Sequence, residues 1–143
     1  MIREAEQRDL MPLLELYTHL FNQAVPDVPP EPLWQSILHD PNYYIVVAEQ
    51  DGLLVSTCVL VIIPNLTHNQ TPYALVENVV THEAYRKRGL GTAVLHYARD
   101  IARARGCYKI MLMTGSKLDS TLRFYERAGY NREGKTGFIQ WLN

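Results

Sequence analysis

The chain has 143 residues, 47 % of them apolar and 20 % charged, with a formal net charge of −1. That size and balance fit one globular domain over residues 1–143 with a single buried core. The near-neutral charge argues against a dedicated nucleic-acid binder, which carries a clear basic excess, and no apolar run approaches the ~18 residues that a membrane span needs.

Cys58 and Cys107 lie far apart without a CxxC pair, and the histidines have neither HxH nor HxxxH spacing. Neither a disulfide framework nor a metal site is therefore expected. The charged opening "MIREAEQRDL" has no apolar core of the kind a signal peptide carries, which points to a cytoplasmic protein.

In chain order, "IREAEQRDLMPLLELYTHLF" reads as a short strand and then a helix. Asp9 is placed to cap that helix, and Leu10, Leu13, Leu14, Tyr17 and Phe21 recur at helical spacing. "AVPDVPPEP" holds four prolines in nine residues and breaks regular structure, with a short second helix expected around Leu33 to Leu38. "YYIVVAEQDGLLVSTCVLVII" is two β-branched runs about Asp51 and Gly52, a hairpin signal because the turn needs residues that accept positive φ.

"YALVENVV" is the next strand. From Gly89 the period changes to a helix whose stripe is Leu90, Val94, Tyr97 and Ile101, with Arg99 and Arg103 opposite and Gly106 at its end. "CYKIMLMT" is a strand, "LDSTLRFYERAGY" a helix stopped by Gly129, and "TGFIQWL" a final strand. The fold class is mixed α/β, with an antiparallel N-terminal half and one central strand–helix–strand unit whose strands run parallel.

Between "YALVENVV" and the long helix lies R-x-x-G-x-G, comprising Arg86, Lys87, Arg88, Gly89, Leu90 and Gly91. Backbone N–H groups at a helix start lack intrahelical partners, and with the helix dipole they form an anion site. Glycines let the main chain approach an oxygen closely, and the flanking cations add charge. A pyrophosphate fits this chemistry; a glycine turn with solvated arginines is the plainer alternative. The turn is not a P-loop, since Thr92 and Ala93 follow Gly91 where Lys and Ser or Thr would stand, nor a dinucleotide G-x-G-x-x-G.

"VVTHEAYRKRGLGTAVL" together with "STLRFYERAGY" resembles the paired signature segments of the GNAT superfamily of acetyl-CoA-dependent N-acetyltransferases, and the likeness extends over essentially the whole chain. The resemblance implies a GNAT-type acyltransferase fold with acetyl-CoA as co-substrate. Backbone amides from Arg86 through Gly91, with Thr92 following, would hold the coenzyme pyrophosphate. Val79, Val80 and Thr81 would pair their backbone with the pantetheine arm like an added strand, and the amide of Val79 or Val80 would polarise the thioester carbonyl.

Amine acetylation needs a neutral nitrogen, and an alkylamine is almost wholly protonated at pH 7. Glu77, inside an apolar strand, is the candidate base that takes this proton directly or through water, the alternative being a solvated ion pair at a strand edge. Strict alternation would put Glu77, Val79 and Thr81 on one face, unless a bulge intervenes. Tyr125 in "RFYERAGY" stands where the family places the tyrosine that protonates the departing thiolate. The asparagine that many relatives carry before this helix is absent from "GSKLDST", where Ser116, Ser120 and Thr121 offer hydroxyls instead.

Within the superfamily, "RGCYKIMLMTGSKLDSTLRFYERAGY" is similar to small glucosamine-6-phosphate N-acetyltransferases, and the chain is about equally similar to aminoalkylphosphonate N-acetyltransferases. It has Met113, Thr114 and Gly115 where the former carry charged substrate contacts. The expected acceptor is a small primary amine, met by loops "AVPDVPPEP" and "NLTHNQTP"; His68 and Tyr73 are candidates to face it, and an exposed histidine without a role is the plainer reading. A protein N-acetyltransferase and a non-catalytic acyl-CoA sensor are the alternatives. The apolar "GFIQWL" is equally compatible with a homodimer and with completion of the chain's own sheet.

Overall fold

The computed structural model describes residues 1–20 and 28–143. The first four residues of the proline-rich stretch, 24–27, and the end of the Leu10 stripe, at Phe21, lie outside the described residues. The chain falls into two compact units, Met1–Leu112 and Met113–Asn143.

The first unit is built on a sheet ordered β1-β2-β3-β4-β5, comprising Ile2–Glu4, Tyr43–Gln50, Leu53–Ile63, Tyr73–Thr81 and Ile110–Leu112. The first four strands run antiparallel to their neighbours and β5 runs parallel to β4. This is the expected mixed α/β arrangement. The β2–β3 hairpin turns at Asp51 (φ 54) and Gly52 (φ 78), both left-handed, as a two-residue turn with matched twist requires.

Helices α1 (Leu10–Tyr17) and α2 (Glu31–His39) cover one face of the sheet. Leu13, Leu16 and Trp34 bury against Ile45, Val47, Val59 and Val80. Side chains alternate along a strand, so Val46, Cys58, Leu60 and Val76 point to the other face, beneath α3 (Leu90–Ala104). The buried side of α3 is Gly91, Val94, Leu95, Ala98 and Ala102. It is rotated from the expected stripe, since Leu90, Tyr97 and Ile101 are only half-buried. Small residues bring the helix backbone close to the sheet, and the bulkier ones flank the contact.

Asp9 stands at the N-cap position of α1 but, contrary to expectation, its side chain makes no capping bond to that helix and turns back to the residues before it. Its carboxylate accepts two hydrogen bonds from the Arg3 guanidinium, at 2.6 and 3.1 Å, and one from the Glu6 amide at 2.7 Å. Arg3 also reaches Glu49 Oε1 at 3.3 Å, tying β1, β2 and the start of α1 together. Burial pushes the Asp9 carboxyl upward, but the Arg3 bond, the Glu6 amide and the charges of Arg3 and Arg8 outweigh it and hold it below the usual carboxylate range. A lowered folded value adds stability that is present above the unfolded value of about 3.9 and is lost as pH falls through the folded one. Wild-type Tm is therefore expected to fall as pH drops below about 4, and Asp9→Asn to show a lower Tm at neutral pH with a flatter acid limb. Thermal melts from pH 7 to pH 2 measure both.

The second unit contains one helix, α4 (Asp119–Arg127), stopped at Gly129 as expected. Residues 136–142 form no strand, contrary to expectation. The described residues of this unit include no other strand, so the segment has no ladder to join, and Phe138, Trp141 and Leu142 are exposed. β5 is also shorter than "CYKIMLMT" suggests, with only Ile110–Leu112 paired to β4.

Candidate active site

The site begins where β4 leaves regular geometry. Glu77 pairs with Val59, and the next pairs are Val80 with Thr57 and Thr81 with Ser56. Asn78 and Val79 thus oppose Cys58 alone, which is a β-bulge, and Asn78 takes the left-handed conformation at φ 52. The bulge resets the alternation. Val59 and Thr57 share the face covered by α1 and α2, so Glu77 and Val80 point there together. Val80, not Val79, is therefore the residue on the Glu77 face, and it is buried with Leu13 and Leu16. Thr81 turns to the opposite face, with its Oγ1 at 2.8 Å from Ser56 Oγ.

The partner on the other side of β4 also ends here. Pairing with β5 stops at Val76↔Leu112, while β4 runs on to Thr81. Among the described residues of its unit, the edge of residues 77–81 on that side is left without a ladder partner. Glu77 is exposed beside this open edge and makes no ion pair among the described residues. Burial, followed by the charges of Glu77 and Asp40, raises the Tyr43 phenol above its ordinary range.

Beyond Thr81 the chain is pinned before it enters the basic turn. The His82 amide donates to Val55 O (2.8 Å), and the Ala84 amide donates to His82 Nδ1 (3.0 Å). Arg86 Nε donates to Thr81 O at 3.2 Å, which links the strand end to the turn. Lys87 (φ 62) and Gly89 (φ 78) are both left-handed. Gly89 is the N-cap of α3 and has no side chain with which to cap it.

Ala93 N–H is bonded to Gly89 O at 3.0 Å, so the amides of Leu90, Gly91 and Thr92 precede the first intrahelical bond. Arg86, Lys87 and Arg88 stand exposed around this helix start, with the Arg88 guanidinium 4.9 Å above the Tyr85 ring. A cluster of open donors, a helix dipole and surrounding cations suits an anion.

Tyr125 is carried by α4 in the second unit. It is half-buried, with its ring edge-on to Phe124 (5.0 Å) and Tyr130 (6.3 Å). Just before α4, Ser116 Oγ lies 3.0 Å from Thr121 Oγ1 and accepts from the Leu118 amide, so these hydroxyls organise the helix entry. His68 stacks on Tyr108 at 4.1 Å, and Tyr73 begins β4 beneath Lys109 (5.2 Å). Tyr73 therefore stands about 13 Å along the strand from Glu77. Cys58 is fully buried, with Sγ donating to Val94 O, and burial pushes its thiol up to about 12. Burial of this kind disfavours the thiolate that a nucleophile requires.

Three residues escaped the sequence reading of the site. Asn78 sets the bulge, and Tyr17 of α1 and Tyr43 of β2 pack against the core cluster that contains Val59 and Val80. The only signal was a polar Asn after Glu77 inside an apolar strand.

A mixed five-stranded sheet whose β4 parts from β5 beside an uncapped helix start defines the architecture of an acetyltransferase. The chain belongs to the Acetyltransferase (GNAT) family, which it matches over residues 10–130. It is 35 % identical over 79 residues to the glucosamine 6-phosphate N-acetyltransferase of Trypanosoma brucei brucei, a match covering 55 % of this chain and 52 % of that protein. The chain thus spans about half the length of this curated relative. Among solved structures, a chain from Agrobacterium tumefaciens provisionally classed as an acetyltransferase is 39 % identical, with a TM-score of 0.92 and 99 % of each chain covered. The aminoglycoside N-acetyltransferase AAC(6′)-Iy, solved in complex with CoA, shares the fold at 15 % identity and a TM-score of 0.78, with 99 % of this chain and 98 % of that one covered.

Proposed function

We propose that the chain transfers the acetyl group of acetyl-CoA to a small primary amine by direct attack in a ternary complex. The observation that carries this reading is the open edge of β4 at residues 77–81, bulged at Asn78 and leading directly into the uncapped start of α3. In this reading the amides around Gly89, Leu90 and Gly91, with Arg86, Lys87 and Arg88 outside and Thr92 following, take the coenzyme pyrophosphate. The backbone of Val79, Val80 and Thr81 takes the pantetheine arm as an added strand. A main-chain amide at Val79 or Val80 polarises the thioester carbonyl.

Glu77 accepts a proton from the ammonium form, directly or through water, and the free nitrogen attacks the carbonyl carbon. The C–S bond breaks and the thiolate takes a proton from Tyr125. Exposure of Glu77 without an ion-pair partner among the described residues supports the base role. The buried Cys58, with its thiolate disfavoured, supports direct attack over an acetyl-cysteine intermediate. A small amine is favoured because the curated relative cited above is named for an amino-sugar phosphate and a fold neighbour for aminoglycosides.

Thiol release from acetyl-CoA across a panel of small amines tests the proposal. Turnover well above hydrolysis with at least one amine is expected. No release above hydrolysis on a broad panel would overturn it in favour of an acyl-CoA sensor. Tyr125→Phe is expected to lower kcat about tenfold or more with coenzyme A Kd within about twofold of wild type. Unchanged kcat would remove the general acid.

A further inference from the structure

We infer that His82 is a positioning residue for the coenzyme turn: its imidazole caps the short turn that delivers Arg86–Gly91, and protonation of that ring undoes the cap and weakens coenzyme binding. The inference rests on the reading of Arg86–Gly91 given above. It adds to it a residue outside the binding turn and a dependence on pH.

His82 follows the last residue of β4 and is the N-cap of Glu83–Tyr85, a single 3-10 turn that ends at Arg86. A side-chain oxygen of Ser, Thr, Asp or Asn ordinarily fills this role. Here Nδ1 stands at the place along the side chain where an asparagine carries Oδ1, and it accepts from the Ala84 amide at 3.0 Å. The amide of His82 donates to Val55 O at 2.8 Å, and its carbonyl accepts from the Tyr85 amide at 2.9 Å. Ring, amide and carbonyl together fix where the chain leaves the sheet and how it enters the basic turn.

The ring is held by its neighbours. His19, two residues past the end of α1, has its ring centroid 4.2 Å from that of His82, and Tyr85 meets the His82 ring edge-on at 5.4 Å. Tyr85 carries the Arg88 guanidinium over its own ring, so side-chain contacts run from the cap to a cation of the binding turn. Among the described residues, the titratable and charged groups beside the imidazole are therefore His19 and Tyr85, with Arg88 one contact further out and Glu83 next in the chain. Neither histidine has an ion-pair partner among the described residues.

A ring nitrogen that accepts a hydrogen bond carries no proton, whereas an imidazolium has one on each nitrogen and can only donate. Protonation of His82 thus breaks the Ala84 bond and sets a cation against His19. Two effects on a bound anion then oppose each other. The added charge attracts it, but from a half-buried ring whose field solvent screens. Loss of the cap loosens the backbone leading into the donor amides, and this effect prevails. Proton and coenzyme therefore compete, and by linkage Kd rises as pH falls. Histidine is the side chain whose ordinary titration lies in the window where such competition is felt.

The test measures coenzyme A Kd by calorimetry from pH 7.5 to pH 5.5 for wild type, His82→Asn and His82→Ala. Asn keeps an acceptor in the same place and does not titrate; Ala removes the acceptor. The coenzyme's own phosphates and His19 are common to all three chains, so the decisive quantity is the difference between wild type and His82→Asn. At pH 7.5 His82→Asn is expected within about twofold of wild type and His82→Ala about fivefold weaker, the worth of one cap. At pH 5.5 wild type should have weakened about fivefold more than His82→Asn and approach His82→Ala. Amide exchange at residues 84–88 should be faster in His82→Ala than in His82→Asn.

Equal pH dependence in wild type and His82→Asn overturns the proton dependence. Binding by wild type that tightens relative to His82→Asn at pH 5.5 overturns it in favour of plain charge attraction. His82→Ala with the Kd and exchange rates of His82→Asn overturns the positioning role. A wild type that binds no coenzyme A at any pH instead removes the reading of the turn itself, an outcome distinct from binding that His82 does not affect.

Discussion

Glu77→Gln is expected to lower kcat at neutral pH by about two orders of magnitude, the scale of a positioned general base. The defect should shrink as pH rises. An alkylamine titrates near pH 10, so each unit of pH toward that value raises the neutral fraction about tenfold and removes the need for a protein base. Wild-type kcat/KM should level off earlier than the variant's. A pH–rate profile between pH 6.5 and pH 9.5, taken over a range of acceptor concentrations so that kcat and kcat/KM are both obtained, provides the measurement, and a variant profile superimposable on wild type would remove Glu77 from the chemistry. The carboxylate is exposed and makes no ion pair among the described residues, so its loss breaks no buried charge pair and Tm should stay within about 1 kcal/mol equivalent of wild type. That separation of activity from stability makes the result interpretable.

Gly89→Val addresses the other half of the site. Gly89 sits at φ 78, and a Cβ built there meets nothing within 4 Å, so the cost of substitution is conformational and not steric crowding by neighbours. A β-branched residue is a genuine outlier in the left-handed region. The turn must therefore rearrange, and the amides of Leu90, Gly91 and Thr92 lose their common orientation. Coenzyme A Kd is expected to rise more than tenfold, read by calorimetry, while the far-UV spectrum is retained. Gly89→Ala should fall between the two, since it retains the strain without the second methyl. Wild-type coenzyme affinity in Gly89→Val would move the pyrophosphate away from this turn.

What could be read beforehand divides by the range of the interactions responsible. Asp51 and Gly52 encode their turn locally, and the hairpin formed where expected. Arg86 to Gly91 is likewise a local pattern whose strand–turn–helix setting is visible in hydrophobic periodicity. A bulge was allowed for but could not be placed, because it shows only in the register of β4 against β3, strands whose pairing is a long-range property of the sheet. Its consequences were missed with it: the exchange of Val80 for Val79 on the Glu77 face, and the early end of β4–β5 pairing at Val76. Residues 136–142 show the converse case. Their composition favours a strand, but a strand is a property of a pair, and no second strand of that unit lies among the described residues. The helix stripe erred by a small rotation because hydrophobicity was weighed over size. Gly91, Ala98 and Ala102 are the contact residues for their smallness.

That contact has a mechanical consequence. A helix seated on small residues behaves as a stiff rod whose height above the sheet is set by the least bulky positions along it. Ala98 lies seven residues from Gly91, about 10 Å up the axis at 1.5 Å per residue. A methyl group added at Ala98 or Ala102 would lift or tilt the rod and displace the amides at its foot, although it touches none of them. On the proposed reading of the turn, coenzyme affinity would thus be adjustable from the middle of this helix, and variation at these alanines would be a route to retuning it without altering the turn itself.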